Sequence, residues 1–147
     1  MTVRQPWASC IASGHKTVEN RGRDVHYRGE IAIHAAKTHD PAGDTDHRVL
    51  DVRGRDPRLG APLGAIIAVA DLVDCHDAEL PRVAGATCCS PWGDRTYNNG
   101  LAWHLVLWNI RRLDRPVSCR GALTIGWTVP GDVEEQVRTQ LAKEAAA

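Results

Sequence analysis

Residues 5–21 read QPWASCIASGHKTVENR, and this stretch holds the most unusual combination of side chains in the 147-residue chain. Pro6 fixes φ and therefore suits the first turn of a helix, and Gly14 is typical of a left-handed helix end. Residues 16–21, which follow, alternate polar and charged side chains with β-branched ones. The stretch predicts a short helix, a turn and an extended segment that together hold a functional site.

The composition of the chain narrows the class of protein. Its length suits one domain with its own core, and a hydrophobic fraction of 43% indicates a globular chain. Basic and acidic residues number 18 each, and this balance argues against charge-driven binding of duplex nucleic acid over a broad surface. The five cysteines form no recognisable disulfide framework, the first residues do not resemble a signal peptide, and no apolar run is long enough to span a bilayer. We therefore expect reduced thiols, a cytoplasmic location and no membrane partner.

Hydrophobic periodicity predicts more strands than helices. Alternation or β-branched enrichment marks five segments as strands: 1–4, 28–36, 63–76, 101–113 and 121–129. A short helix is predicted at 44–52. The chain ends in a second clear helix that starts at Asp132 and carries an apolar stripe of Val133, Val137 and Leu141. The pattern predicts an α+β fold with a strongly curved sheet or a small barrel.

Several segments together resemble the ASCH domain, the activating signal cointegrator homology domain of the PUA-like superfamily. The matching segments are QPWAS (5–9), GHKTVENR (14–21), YRGEIAIHAAK (27–37), LGAIIAVADLVDC (63–75) and WHLVLWNIRRLDRPVSCRGALTIGWTVP (103–130). The first motif is the most specific to this family, since the strand patterns alone would not distinguish it from other families. The resemblance implies a small PUA-like β-barrel with the short N-terminal helix lying across a cleft. We expect this domain to span residues 1–130, with a C-terminal helix at 131–147.

The same resemblance implies RNA, single-stranded nucleic acid or a nucleoside as the partner. The family includes proposed RNA- and DNA-binding modules, a bacterial ribonuclease and a small amidohydrolase that deacetylates N4-acetylcytidine. It therefore indicates a class of ligand better than it indicates a reaction. The leading hypothesis is a binding module that grips a single-stranded base or a modified nucleoside. The alternatives are a metal-independent ribonuclease, an amidohydrolase of the acetylcytidine type, and a protein-interaction adaptor.

Two departures from the family pattern bear on the reaction. Members often carry Ser-Trp after the arginine, whereas this chain has Gly22-Arg23, which removes an aromatic wall and adds a charge. The amidohydrolase branch pairs the lysine with a threonine three residues later, and that position here is Glu19. Thr17 is adjacent to Lys16 and does not have the required spacing. The amidohydrolase is therefore the less favoured of the two enzymes.

Lys16, Glu19 and Arg21 are the central candidate site residues. In a binding module, Lys16 and Arg21 would bind phosphate or carbonyl oxygens, and Glu19 would accept a hydrogen bond from a base amino group. In an enzyme, Lys16 and Glu19 would be the catalytic pair, with the carboxylate as general base. The alternative is an ordinary ion pair, because Glu19 and Arg21 share one face of an extended segment. Strict alternation sends Lys16 to the opposite face, so a shared site requires a turn between Lys16 and Glu19.

Three further residues are assigned to nucleotide binding, each with a structural alternative. Trp7 would stack on a base, or anchor the helix to the core together with Ile11 on the same face. Arg23 would belong to a local phosphate track, or to a solvated surface balanced by nearby acids. His34 would serve in acid–base chemistry, or it would have a structural role as a hydrogen-bonded histidine in the wall of the fold.

The segments 38–62 and 77–100 are rich in turn-forming residues, and loops of this length in compact domains are often functional. In the second loop, Trp92 and Tyr97 accompany Arg95, which suits either a nucleic-acid lid or a small satellite cluster.

The spacing of the cysteines and histidines matches no metal-binding motif. Cys75-His76 and Cys88-Cys89 contain no C-x-x-C pair, and adjacent thiols are poor chelators of one tetrahedral centre. The chain also carries no P-loop and no dinucleotide fingerprint. From the sequence we therefore expect no metal and no cofactor.

Overall fold

The computed structural model describes residues 1–56, 59, 62–79, 88–122 and 124–145. The helices and strands formed by these residues are, in chain order, β1 (Thr2–Gln5), α1 (Trp7–Ala12), β2 (Val18–Arg21), β3 (Gly29–His39), α2 (His47–Arg55), β4 (Ala65–Asp77), β5 (Thr96–Tyr97), β6 (Gly100–Leu101), β7 (Trp103–Ser118) and α3 (Gly131–Ala145). A single 3₁₀ turn, Pro41–Asp44, lies between β3 and α2 in this part of the chain. Across the same residues, no helix combines the length and the apolar character needed to cross a membrane.

Five strands form one mixed sheet in the order β1-β3-β4-β7-β2, and β5 pairs with β6 in a separate ribbon. β1 runs parallel to β3, whereas the other neighbours in the large sheet are antiparallel. The central strand β4 begins AIIAVA, and all six of these residues are buried, as expected for a strand covered on both faces. The architecture confirms the predicted α+β fold with one early and one late helix.

The prediction of a closed barrel is wrong. β1 and β2 are the two edges of the large sheet, and no ladder joins them among the described strands. Each of these edge strands has only four residues. The chain turns from β1 directly into α1, which packs against β1, β3, β4 and β7. No extended segment is therefore left beside β1 to pair with β2, and the sheet stays open at this side.

The main apolar core lies between α1 and the sheet. Ala8 and Ile11 of α1 are fully buried and belong to one cluster with strand residues such as Ile33, Leu105 and Leu107. Burial of a large aliphatic side chain stabilises a fold by about 1.5–3 kcal/mol. The helix inside the opening motif is therefore a structural part of the core, and it holds the turn that follows it in place.

A second apolar cluster lies under the C-terminal helix. Val133 and Val137 of α3 are buried, and Leu141 packs beside them. Their partners on the sheet are Ile66, Val69, Leu113 and Val117. The stripe predicted from the sequence therefore faces the sheet.

Three elements differ from those predicted from the sequence. β7 continues beyond residue 113 to Ser118, because its far end still pairs with the start of β4. The strand predicted at 121–129 is wrong, since no described residue of this segment is in a strand. Gly126 has a φ of +77° there, which is incompatible with extended backbone. The helix predicted at 44–52 forms as α2 and starts later, because the Asp46 carboxylate caps it.

Candidate functional site

A cleft of about 400 Å³ opens between the edge strands β1 and β2. Four of the side chains singled out in the sequence line it together: Trp7, Lys16, Glu19 and Arg21. Residues from β1, β3, α2 and the loop before β5 complete its walls. Four basic and three acidic side chains are among the lining residues, so the cleft is strongly polar and its charges nearly balance.

The turn after α1 brings Lys16 into this cleft. Gly14 has a φ of +79°, and its N–H donates to the Ile11 carbonyl at 2.8 Å, which is the left-handed helix end predicted from the sequence. The Lys16 N–H then donates to the Cys10 carbonyl at 2.9 Å. The chain thus folds back over the end of the helix, and the Lys16 side chain is only 3% exposed. This turn lies at residues 13–15, before Lys16, and not between Lys16 and Glu19 as expected from the sequence.

Glu19 pairs with both of the predicted basic residues, Lys16 and Arg21. Its Oε2 accepts a hydrogen bond from Lys16 Nζ at 3.0 Å, and its Oε1 lies 3.4 Å from Arg21 Nη2. Lys16 Nζ also donates to the Val18 carbonyl. Glu19 and Arg21 occupy alternate positions of β2 and therefore share a face. The ion pair considered as the structural alternative is formed, and it lies in the wall of the cleft.

A group of aromatic rings and cations forms another wall. The Arg48 guanidinium carbon lies 5.9 Å from the centre of the Trp7 ring and 5.3 Å from the centre of the Trp92 ring. Lys16 Nζ lies 5.8 Å from the Trp92 ring centre. These separations are within the range of cation–π attraction. The Trp7 indole N–H donates to the Asp40 carboxylate at 3.0 Å, so the partly exposed Trp7 ring is held at a defined angle.

Arg48 was not identified from the sequence, although it is central to the cleft. Its guanidinium pairs with the Asp46 carboxylate at 2.7 Å and with the Asp94 carboxylate at 2.9 Å. Hydrogen bonding from Arg48 holds the pKa of Asp46 below its usual range. The only local signal in the sequence was the cap residue Asp46, because the contact between Arg48 and Asp94 joins segments 46 residues apart.

Asn20 fixes the loop that carries Trp92. The Asn20 Nδ2 group donates to the Trp92 carbonyl and to the Asp94 carboxylate, both at 2.9 Å. In return, the Asp94 N–H donates to the Asn20 side-chain oxygen at 3.0 Å. Trp92 is only 6% exposed, so it is a wall of the cleft and not an exposed lid. Tyr97 also lines the cleft, whereas Arg95 does not.

Arg4 is the exposed basic side chain of the cleft. It lies on β1, among the residues that line the opening. Within the part of the chain that the structure describes, the Arg4 side chain makes no hydrogen bond or ion pair. In contrast to Lys16 and Arg48, it is therefore available to a ligand without breaking an existing interaction.

Arg23 and His34 do not line the cleft, so the geometry does not support their assignment to the same site as Lys16. Arg23 lines a separate depression beside Tyr27. His34 is 2% exposed, and its Nε2 lies 3.1 Å from the Cys119 carbonyl. Burial lowers the pKa of His34, so the ring is neutral at pH 7. It fits the alternative of a hydrogen-bonded histidine in the wall of the fold.

The fold also gathers four potential metal ligands that sequence spacing did not connect. Ligand atoms of His76, Cys88, Cys89 and His104 all lie within 4.8 Å of one another. His76 and His104 are paired residues of β4 and β7, and the two cysteines come from the loop between these strands. The cluster depends on strand pairing, which no local motif reveals.

Comparison with known protein families gives a match over most of the chain. The family model described as the ASCH domain matches residues 1–109. Among curated proteins, human activating signal cointegrator 1 is 35% identical over 82 residues. The matched region is 51% of this chain and 14% of the human protein, so the chain covers only a small part of that relative.

Solved structures with the same fold include ASCH from Zymomonas mobilis, at 16% identity and a TM-score of 0.55. That match covers 95% of this chain and 92% of the other. Two mutant forms of the same protein match at 16% identity, with TM-scores of 0.55 and 0.56. They cover 95% of this chain and 94% and 92% of theirs. At this level of identity the likeness shows the fold alone.

Proposed function

The chain belongs to the ASCH-domain family, and we propose that its cleft binds a single-stranded base of RNA, or a free modified nucleoside, without chemical turnover. The observation that carries this proposal is the convergence of Lys16, Glu19 and Arg21 on one cleft beside Trp7 and Trp92. The family resemblance supports RNA or a nucleotide as the class of ligand.

The groups around the cleft suit the parts of a nucleotide. The partly exposed ring of Trp7 offers a face on which a base can stack. Arg4 is free to pair with a phosphate, and charge-assisted hydrogen bonds of this kind are the strong ones. The volume of about 400 Å³ lies within the usual range of small-ligand sites. An unpaired base exposes its edges and faces to such a cleft, whereas a duplex withholds them.

The pairing of Glu19 supports binding over catalysis. Its two carboxylate oxygens already face Lys16 and Arg21, so neither oxygen is directed at a ligand as a general base requires. The other candidate for proton transfer, His34, does not line the cleft. Thr17 is exposed and is also absent from the cleft wall, which gives the amidohydrolase alternative no support from geometry.

The proposal is tested by fluorescence anisotropy with a short labelled single-stranded RNA in magnesium-free buffer. DNA of the same sequence, the RNA duplex and N4-acetylcytidine serve as competitors. Arg4→Ala should weaken RNA binding and reduce the slope of log Kd against log salt by about 0.7, the value for one single-strand phosphate contact. Arg120→Ala is the matched control, because Arg120 is also exposed but lies outside the cleft.

The same samples are analysed for products by gel electrophoresis and chromatography. Binding of intact single-stranded RNA that depends on Arg4, or of intact nucleoside that depends on Trp7, supports the proposal. Strand cleavage or deacetylation that is lost in Lys16→Ala overturns the binding-only function in favour of an enzyme. If no nucleic acid or nucleoside binds, the proposal is also overturned, and a protein-interaction adaptor becomes the better hypothesis.

A further inference from the structure

The cluster of His76, Cys88, Cys89 and His104 has the composition of a structural metal centre. The Cys88 sulfur lies 2.9 Å from His76 Nε2 and 3.1 Å from His104 Nδ1. The Cys89 sulfur lies 3.5 Å from both His76 Nε2 and the Cys88 sulfur. Four ligands arranged tetrahedrally around zinc, at the usual Zn–S and Zn–N distances, are separated by about 3.3–3.8 Å. Two of the observed contacts lie in this range and two are shorter, and all the ligand atoms lie within 4.8 Å of one another, so small shifts of the side chains would complete the tetrahedron.

The hydrogen bonds behind the two histidines direct the correct nitrogen of each ring towards the centre of the cluster. His76 Nδ1 lies 2.6 Å from the Asp74 carboxylate, which accepts its proton and leaves Nε2 with a free lone pair. His104 Nε2 lies 2.8 Å from the Asp94 carbonyl, which leaves Nδ1 as the free nitrogen. Metal-binding histidines typically donate their second N–H to a carboxylate or a backbone carbonyl in this way. Two independent rings therefore have the tautomer that a metal needs.

The backbone explains how two adjacent cysteines point into one space. In an extended chain, neighbouring side chains face opposite directions, so two adjacent cysteines would not point at one ion. Cys89 has a φ of +58°, an uncommon conformation for a residue other than glycine. Gly93 packs so closely that a Cβ there would lie 2.5 Å from the Cys88 carbonyl and 2.7 Å from His104 Cε1. The loop is thus folded tightly around the four ligands.

We infer that His76, Cys88, Cys89 and His104 bind one zinc ion as a closed, structural site. Two thiolates and two imidazoles form one of the common tetrahedral ligand sets for zinc. Four protein ligands leave no open coordination position, so the ion would not act on a substrate.

The site would connect the loop to the paired ends of β4 and β7. The two histidines belong to β4 and β7, while the two cysteines lie in the loop that leads to Trp92. The Trp92 and Gly93 N–H groups donate to the Cys89 carbonyl at 3.1 and 2.8 Å. Metal binding would therefore hold Trp92 and Asp94 in the wall of the cleft. The inference does not depend on what the cleft binds.

The test is cobalt substitution of the purified, reduced protein. Co²⁺ in a tetrahedral site with thiolates gives visible d–d bands and a near-ultraviolet sulfur-to-metal band. Wild-type protein should take up one equivalent of Co²⁺, and one equivalent of Zn²⁺ should displace it. Cys88→Ser and Cys89→Ser should each lose about half of the sulfur-to-metal absorbance. Cys119→Ser is the matched control and should keep all of it, because Cys119 lies outside the cluster.

Asp74→Asn tests the orienting hydrogen bond and should lower zinc affinity by about 10–100-fold, with the visible spectrum retained. Circular dichroism establishes that each variant is folded, and thiols are counted in denaturant after the metal is removed. A reduced wild-type protein that binds no cobalt would overturn the inference. Protein purified without reductant that yields three free thiols instead of five, because Cys88 and Cys89 form a disulfide, would also overturn it. So would a cobalt spectrum unchanged by the Cys88 and Cys89 substitutions. The cobalt experiment does not depend on RNA binding, so failure of the metal site is distinguishable from failure of the proposed function.

Discussion

The Arg21 Nη2 group donates a hydrogen bond to the Thr2 carbonyl at 2.7 Å, and this bond joins the two edges of the sheet. Thr2 lies on β1 and Arg21 on β2, which are otherwise unpaired with each other. A side chain therefore bridges the gap that a strand ladder would close in a barrel. Because an arginine side chain spans a wider gap than the roughly 4.8 Å between paired strands, the two edges stay apart, and the cleft opens beside the bridge.

Arg21→Met should lower the free energy of unfolding by about 1–2 kcal/mol, because it removes a charge-assisted hydrogen bond and keeps the aliphatic part of the side chain. Urea denaturation followed by tryptophan fluorescence measures the change. Arg23→Met is the control and should change stability by less than about 0.5 kcal/mol, since Arg23 is exposed. Equal stability of the two variants would mean that the bridge does not hold the edges together.

Glu19→Gln should destabilise the fold by about 3 kcal/mol, because it leaves the charge of Lys16 buried with a weaker partner. The double variant Lys16→Met/Glu19→Gln should recover at least half of this loss, since both buried charges are then removed. Denaturant unfolding measures both proteins, with Glu135→Gln on the exposed side of α3 as control. A double variant that is less stable than the single variant would contradict the role of the pair as a buried ion pair.

Trp7→Ala should weaken the binding of single-stranded RNA by about 1–3 kcal/mol, the usual contribution of one base stacked on an aromatic ring. Trp7→Phe should retain most of the affinity, because it keeps an aromatic face while losing the indole hydrogen bond. Trp108→Ala is the matched control, since Trp108 is 71% exposed and lies outside the cleft. Anisotropy titrations compare the three, and loss of affinity in Trp108→Ala alone would place the ligand elsewhere.

The buried His34 should make the fold less stable in acid. Burial lowers its pKa in the folded protein, an effect partly offset by the hydrogen bond to the Cys119 carbonyl and reinforced by the charges of the N-terminus and Lys37, while the unfolded chain has a pKa of about 6.5. Below that value the unfolded state binds more protons, so stability falls as the pH decreases towards the folded pKa. The free energy of unfolding of His34→Gln should therefore vary less than that of the wild type between about pH 7.5 and 5.5. Parallel profiles would show that His34 does not contribute.

Gly93→Ala should lower the unfolding temperature, because its Cβ would overlap the Cys88 carbonyl and the His104 ring. Gly54→Ala is the contrasting variant, since nothing lies within 4 Å of a Cβ at that helical position. It should raise stability by up to about 1 kcal/mol through helix propensity. Thermal unfolding followed by circular dichroism compares them, and a neutral Gly93→Ala would mean that the loop can move away from the cluster.

Local patterns in the sequence were sufficient to predict most of the helices and strands of this fold. The short helix and its left-handed end at Gly14, the buried strand at β4 and the apolar stripe of α3 all depend on residues within a few positions of one another. The shared face of Glu19 and Arg21 was also predictable, because one period of a strand relates them, whereas strict alternation placed Lys16 on the opposite face. The strand expected at 121–129 failed because Gly126 adopts a backbone conformation that apolar alternation does not report.

Tertiary structure decided the remaining features. The open sheet, the position of Arg48 between Trp7 and Trp92, and the meeting of His76 with His104 each join segments that are distant in the chain. Such contacts depend on strand order and register, and register is determined by the packing of the whole sheet. The sequence by itself therefore determined where the chemistry of residues 5–21 lies. Only the folded chain determined which distant side chains complete the cleft, and that the adjacent cysteines share one space with two histidines.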